Sequence, residues 1–208
     1  MSRLNVLEVL DRIEKEKLTT FSPRVFSRIF NASPQKVKVF LSRNTKRGYF
    51  VRLRKGLYSA KSLPASSLEL ANIVYRPSYI SLELALSYYK LIPEVIYSAT
   101  SITTKPTKEI TILNQVFQYH KINKSLYFGY RTEKIGNTHI VMASKEKALL
   151  DFSYFIALGQ KRYNDRISVI KIDKEKFDQY KKRFLKNLHN RFVKKRFVVL
   201  LQQISSKL

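Results

Sequence analysis

The stretch SPRVFSRIFNASPQKVKVFLSR, Ser22 to Arg43, carries one helix-start signal twice. At Ser22-Pro23 and again at Ser33-Pro34, a hydroxyl that can cap free amides precedes a proline. Proline suits the first helical position because no intrahelical amide bond is lost there. The first signal opens a short helix with Val25, Phe26, Ile29 and Phe30 as its buried face, ended by Asn31-Ala32. In the second helix Val37, Phe40 and Leu41 fall at i, i+3 and i+4, so it packs through one face only. Its other face offers Gln35, Lys36, Lys38, Ser42 and Arg43, all able to reach phosphates or base edges. Upstream, Val6, Leu7, Leu10 and Ile13 recur at helical spacing and predict a first amphipathic helix.

Downstream of Lys46-Arg47-Gly48 the period changes to two, with Tyr49, Val51 and Leu53 alternating against Phe50, Arg52 and Arg54. Lys55-Gly56 supplies a tight turn and Leu57-Tyr58 begins the return strand, predicting a β-hairpin with a basic tip. Three helices followed by such a hairpin is the order of a winged helix-turn-helix. In that arrangement the third helix enters the major groove and the wing lies along the backbone or minor groove. The expected DNA-contacting residues are Arg24, Arg28, Gln35, Lys36, Lys38, Ser42, Arg43, Lys46, Arg52, Arg54 and Lys55. Any one of these elements alone is as well explained as a solvated face; their conjunction carries the reading.

Charge supports it. Across 208 residues, 40 Lys and Arg stand against 15 Asp and Glu, a formal net charge of +25 that favours polyanions, nucleic acid first and an anionic membrane surface second. From Lys17 through Leu68 there is no acidic residue. The segment SAKSLPASS, Ser59 to Ser67, has the small and polar residues of a connector, so the expected domains are residues 1–63 and 64–208. Hydrophobic residues at 44% and aromatics at 12% describe a chain that folds. Cysteine is absent, which excludes disulfides, thiolate catalysis and Cys-based zinc sites. His120, His139 and His189 are scattered, so no metal is expected. Charges interrupt every apolar run of MSRLNVLEVLDRIEKEK and no long apolar stretch occurs elsewhere. A cytoplasmic protein without a membrane partner is expected.

The remainder mixes both structure types, and the fold class expected for the chain is α+β. Leu68 to Tyr75 and Leu82 to Tyr89 read as helices; Val95 to Thr104, Glu109 to Tyr119, Ser125 to Tyr130 and Thr138 to Met142 read as strands. Ser144 caps a helix through Leu150 and onward, and two further helices span about Lys174 to Leu185 and Asn190 to Ile204. Phe192, Phe197, Leu201 and Ile204 predict that the last helix docks on something, within the chain or on another copy.

For catalysis the acidic candidates are Glu83, Glu146, Asp151 and Asp165. A metal-dependent nuclease needs carboxylates that converge with a lysine, whereas Glu146 and Asp151 lie five apart on a helix, on different faces. Glu146, between Lys145 and Lys147, reads as a solvated charge. No GxGxxG, P-loop or GxSxG occurs. No catalytic residue and no cofactor are expected.

The runs TTFSPRVFSRIFNASPQKVKVFLSR, YFVRLRKGLYS, RPSYISLELALSYYKLIPE and ASKEKALLDFSYFIALG resemble the AbiEi antitoxins of AbiE-type (type IV) toxin–antitoxin systems. The resemblance covers most of the chain and weakens after about Arg166. It implies an autorepressor that binds inverted repeats at its own promoter through the winged helix, an arrangement that suits a dimer on double-stranded DNA. It further implies a C-terminal domain that counters a nucleotidyltransferase toxin without a stable toxin–antitoxin complex being required. The residues it carries over are Gln35, Lys36, Lys38, Ser42, Arg43, Arg52, Arg54 and Lys55; around Ser81 and Glu146 to Asp151 it implies a shared fold only. Two other readings stand beside it. One is an RNA-binding or RNA-processing module using the C-terminal helices, where Lys174 to Arg196 holds ten basic residues against Glu175 and Asp178. The other is a nuclease built on Asp151.

Overall fold

Phe26 has no solvent exposure, and its ring meets Phe21, Phe30 and Phe40 at centroid distances of 5.3, 4.4 and 5.6 Å. Phe50 closes the group against Phe21 at 5.9 Å and Phe40 at 6.0 Å. These contacts are seen in a computed structural model that describes residues 4–96, 98–136, 138–161 and 172–205. The chain is mixed α+β and divides into two compact units, Met1–Ser66 and Ser67–Leu208.

The first unit runs α1 (Val6–Lys15), α2 (Pro23–Ile29), α3 (Pro34–Lys46), β1 (Phe50–Arg54) and β2 (Leu57–Ala60). Ser22 and Ser33 accept from the amides of Val25 (3.2 Å) and Lys36 (3.4 Å), so both caps form where the Ser-Pro pairs place them. α1 packs through Val6, Val9, Leu10 and Ile13, while Leu7, expected inside, is 68% exposed. The row at i, i+3, i+4 and i+7 from Val6 excludes it. The alternation does not hold along β1: Phe50 is buried and Tyr49 is exposed. A bulge between Arg52 and Arg54 then shifts the register, so that Leu53 turns inward as well. Ser59, Ala60 and Leu63, expected in a connector, belong to the fold. Ser59 and Ala60 are buried in β2, Ala60 bridges to Leu63, and Leu63 packs on the core.

The second unit contains α4 (Ser67–Val74), β3 (Ser78–Ile80), α5 (Leu82–Tyr88), β4 (Ala99–Thr103), β5 (Lys108–Ile112), β6 (Gln115–Lys121), β7 (Tyr130–Ile135), β8 (Thr138–Ala143), α6 (Lys145–Ala157), α7 (Lys174–Lys186) and α8 (Arg191–Ser205). Its strands form one mixed sheet in the order β5-β6-β4-β3-β8-β7. Successive strand residues point to opposite faces. Tyr119 donates to the Ala71 carbonyl of α4 (2.9 Å) while His120 meets Phe155 of α6, so these two helices flank opposite faces of the sheet. β3 and β8 share a single register pair, Ile80 with Met142. Beyond it, Asn72 of α4 stands in for a strand, donating to the Val141 carbonyl (3.0 Å) and accepting from the Val141 amide (2.7 Å).

Three strand expectations change. Glu109 to Tyr119 is two strands joined by a turn at Leu113 and Asn114, both at positive φ (51° and 62°). Ser125 to Tyr130 is not a strand but holds a 3-10 turn at Lys124–Leu126, and the strand starts at Tyr130. The strand expected from Val95 begins only at Ala99. The last helix docks within its own unit. Phe197, Leu201 and Ile204 are buried, with Phe197 against Phe184 of α7 at 5.0 Å, whereas Phe192 is 70% exposed.

The core of this unit encloses an ion pair. Lys147 and Asp151, one turn apart on α6, are both fully buried. The hydroxyls of Tyr79 and Ser81 each donate to Asp151 Oδ2 at 2.9 Å. The Lys147 ammonium lies 5.0 to 5.6 Å from the ring centroids of Phe128, Phe184 and Tyr79. Burial pushes the lysine pKa down and the carboxylate pKa up, and each charge opposes the shift of the other. Removing one partner therefore strands the other charge in a dry site. Lys147→Met should cost about 3–5 kcal/mol, and Lys147→Met/Asp151→Leu should cost less than the single change. Urea denaturation of the two variants checks this, and a double variant worse than the single one contradicts it.

Candidate nucleic-acid interface

Asn31, at φ +45°, turns the chain between α2 and α3, and Ser27 Oγ closes that turn by donating to the Ala32 carbonyl at 2.6 Å. α3 spends one face on the core, burying Val37, Phe40, Leu41 and Asn44. The opposite face is open: Gln35, Lys36, Lys38, Ser42, Arg43 and Lys46 are all exposed. At about 100° per residue, Gln35, Val39, Ser42 and Lys46 fall in one row along the helix. Lys38 flanks that row on one side, and Lys36 and Arg43 flank it on the other. Val39, 57% exposed in the middle of the row, was not among the expected contacts. Its spacing from Gln35 and Ser42, i+4 and i−3, is the signal that locates it.

The hairpin is held to the helices by backbone and side-chain bonds. Phe21 and Tyr58 exchange both backbone hydrogen bonds at 2.9 Å, and Ser59 Oγ donates to the Thr19 carbonyl at 2.7 Å. Buried Asn44 donates to the Phe40 carbonyl at 2.9 Å, and its own carbonyl accepts from the Tyr49 amide at 3.0 Å, which joins the end of α3 to β1. Gly48 (φ +84°) and Gly56 (φ +77°) make the entry and the tip, both in the left-handed region that L side chains rarely adopt. Arg52, Arg54 and Lys55 are exposed on this hairpin, and Arg24 and Arg28 are exposed on α2. All eleven expected contact residues thus lie on the surface of the first unit. The acids of this unit, Glu8, Asp11, Glu14 and Glu16, lie along α1 or at its C-terminal cap. There Arg12 pairs with Glu16 at 2.8 Å and Lys15 with Asp11 at 2.7 Å.

Both helix starts oppose the usual electrostatics. A helix N-terminus carries partial positive charge and favours acids, yet neither α2 nor α3 has an acid in its first turn, and Arg24 and Lys36 sit there instead. The two helix starts therefore add their partial positive charge to that of the cationic side chains on this face.

The chemistry candidates of the second unit lie elsewhere. Glu146, expected in solvent, is buried; its Oε1 accepts from the Asp173 amide at 3.4 Å and its Oε2 pairs with Lys176 at 3.4 Å. Asp151 is sealed in the core. Glu83 pairs with Lys161 at 2.6 Å, beside His120, whose pKa burial and the Lys161 cation lower while Glu83 opposes. Asp165 lies outside the described residues. Among the described residues no group of three or more His, Cys, Asp or Glu could hold a metal ion, and no helix is long and apolar enough to cross a membrane. Of the C-terminal cations, Lys176 and Lys181 are in ion pairs, and Arg183 covers Phe128 at 4.0 Å. Arg191, Lys195 and Arg196 of α8 are exposed.

Comparison with known proteins found no matching family model and no matching curated protein.

The opposed helix start makes a measurable prediction. Gln35→Glu should stabilise the first unit by about 0.5 kcal/mol through the helix dipole while reducing retention on heparin. Thermal unfolding and salt elution of the full chain test both halves. A lower melting temperature would show that this helix end does not carry the potential described.

Proposed function

We propose that the protein is a DNA-binding transcriptional autorepressor and the antitoxin of a type IV toxin–antitoxin system, with the first unit acting as a winged helix-turn-helix. The observation that carries the DNA-binding half is the acid-free, exposed face of α3, followed by a hairpin that presents Arg52 and Arg54 on its first strand and Lys55 at its tip. In this reading α3 enters the major groove and the hairpin follows the backbone or minor groove. Arg24 and Arg28 contact phosphates from α2. The antitoxin half rests on the resemblance to AbiEi proteins. It makes a nucleotidyltransferase toxin the functional partner, without requiring a stable complex, and it places both in the cytoplasm. No catalytic step is assigned to this chain: the Asp151 carboxylate is sealed from solvent by Tyr79, Ser81 and Lys147 and so cannot meet a substrate.

A second reading, RNA binding through α8, is favoured by one observation. Phe192 is exposed with the Arg196 guanidinium 5.8 Å from its ring centroid, a pairing on which an unstacked base can lie. Competition between promoter duplex and structured RNA separates the two readings.

If each subunit neutralises about six phosphates, log K should fall against log salt with a slope of about −5 per subunit. Replacing Lys36, Lys38 and Arg43 by Ala should abolish promoter binding without unfolding the first unit, because all three side chains are exposed and none belongs to its core. A slope near zero, or promoter binding that survives the triple replacement, would sink the DNA-binding reading. A nucleotidyltransferase reading frame beside this gene, whose toxicity in cells this chain suppresses, is the expected result for the antitoxin half. Undiminished toxicity in the presence of this chain would overturn it.

A further inference from the structure

The outer face of α3 is not uniformly basic. Its central row is neutral at Gln35, Val39 and Ser42 and ends on Lys46 in the last turn, and its flanks are cationic, Lys38 on one side and Lys36 and Arg43 on the other. Neutral groups with directional or apolar chemistry suit base edges, which differ in donors, acceptors and the thymine methyl. Cations suit the phosphates that border the groove on both sides. Val39 is the informative member. Single exposed hydrophobic residues are common on protein surfaces, and exposure alone would mean nothing. A β-branched residue, however, is a poor choice for an exposed helical site, where Ala, Lys or Glu would favour the helix more. Nor does Val39 extend the core of the first unit, which Val37, Phe40 and Leu41 fill from the other side of the helix.

We propose that Gln35, Val39 and Ser42 form the base-reading row of α3, with Val39 seated against the C5-methyl of a thymine and Gln35 on an adenine. The assignment rests on the DNA-binding reading given above and specifies its target: each half-site carries A·T pairs beneath α3. Gln35 and Val39 are separated by four residues, about 6 Å along the helix axis, which is close to the rise of two base pairs, about 3.4 Å each. The carboxamide of Gln35 can pair with N6 and N7 of adenine, while Val39 has no polar atom and can gain only from a methyl group. Ser42 donates or accepts and adds reach without fixing a base.

The test uses the full chain and duplexes selected by it from a random-sequence pool. Each thymine of a selected half-site is replaced in turn by deoxyuridine, which removes the methyl and leaves Watson–Crick pairing intact. At one or two positions wild-type binding should weaken about fourfold, the effect of one buried methyl group. Val39→Ala should bind thymine and uracil duplexes equally, with a melting temperature no lower than wild type and the wild-type salt slope, and Gln35→Ala should relax the preference for adenine. The row is overturned if Val39→Ala keeps full sensitivity to uracil, or if the selected half-sites hold only G·C pairs where α3 lies. It is also overturned if Val39→Ala alters the oligomeric state instead of base preference, which would place Val39 in a contact between copies. Failure to bind any duplex would remove the DNA-binding reading itself, whereas duplex binding with any of the preceding results removes the base-reading row alone.

Discussion

A helix of seven residues has too few hydrogen bonds to persist by itself in water, so α2 exists because Phe26 is buried. That ring touches a residue before α2, one at its end and one in the middle of α3, and through Phe40 and Phe21 it reaches Phe50 at the start of the hairpin. Aromatic pairs of this kind contribute about 0.5–1.5 kcal/mol each beyond the area they bury. The orientation of α3 follows. With Val37, Phe40, Leu41 and Asn44 turned toward the rings, the remaining side chains have nowhere to point except outward. The surface chemistry of the unit is thus set by what its interior demands.

The two units place their charges in opposite ways. In the first, cations line the surface of α2, α3 and the hairpin, the acids gather on α1, and two helix starts carry basic residues against their own dipoles. That arrangement sets basic side chains against the partial positive charge of the helix starts, which raises the energy of the free protein. In the second unit the most tightly held charges lie inside. Lys147 and Asp151 are satisfied by each other, by two hydroxyls and by three aromatic faces. Such a pair adds little net stability, but it admits few alternative packings.

Much of the first unit was legible in the sequence because its signals are local. Ser-Pro pairs mark helix starts within a few residues, and Gly56 marks a turn by conformation alone. The errors there arise where the period is ambiguous. Leu7 and Val9 both suit an apolar face until the remaining positions choose between them, and a bulge at Leu53 defeats any count by two. The second unit was less legible because its decisive contacts are distant. β3 is three residues long and exists because β4 and β8 lie on either side of it. Leu113 and Asn114 adopt positive φ without a glycine to announce it. Glu146 sits between two lysines in the sequence, yet it is buried and pairs with Lys176, thirty residues away. The candidate interface was readable for its charges and not for Val39, since an apolar residue on a polar face reads as unremarkable until the other face is seen to be full.

Asn72 bears on how the second unit comes apart. Between β3 and β8 the sheet has a single register pair, so its six strands amount to one ribbon of four and one of two meeting at a narrow seam. The carboxamide of Asn72 spans that seam, mimicking a peptide group opposite Val141 and tying the β7-β8 ribbon to α4. One side chain therefore helps determine whether the two ribbons unfold together or as separate cooperative blocks, with the amides of β7 and β8 losing protection from solvent exchange before the rest.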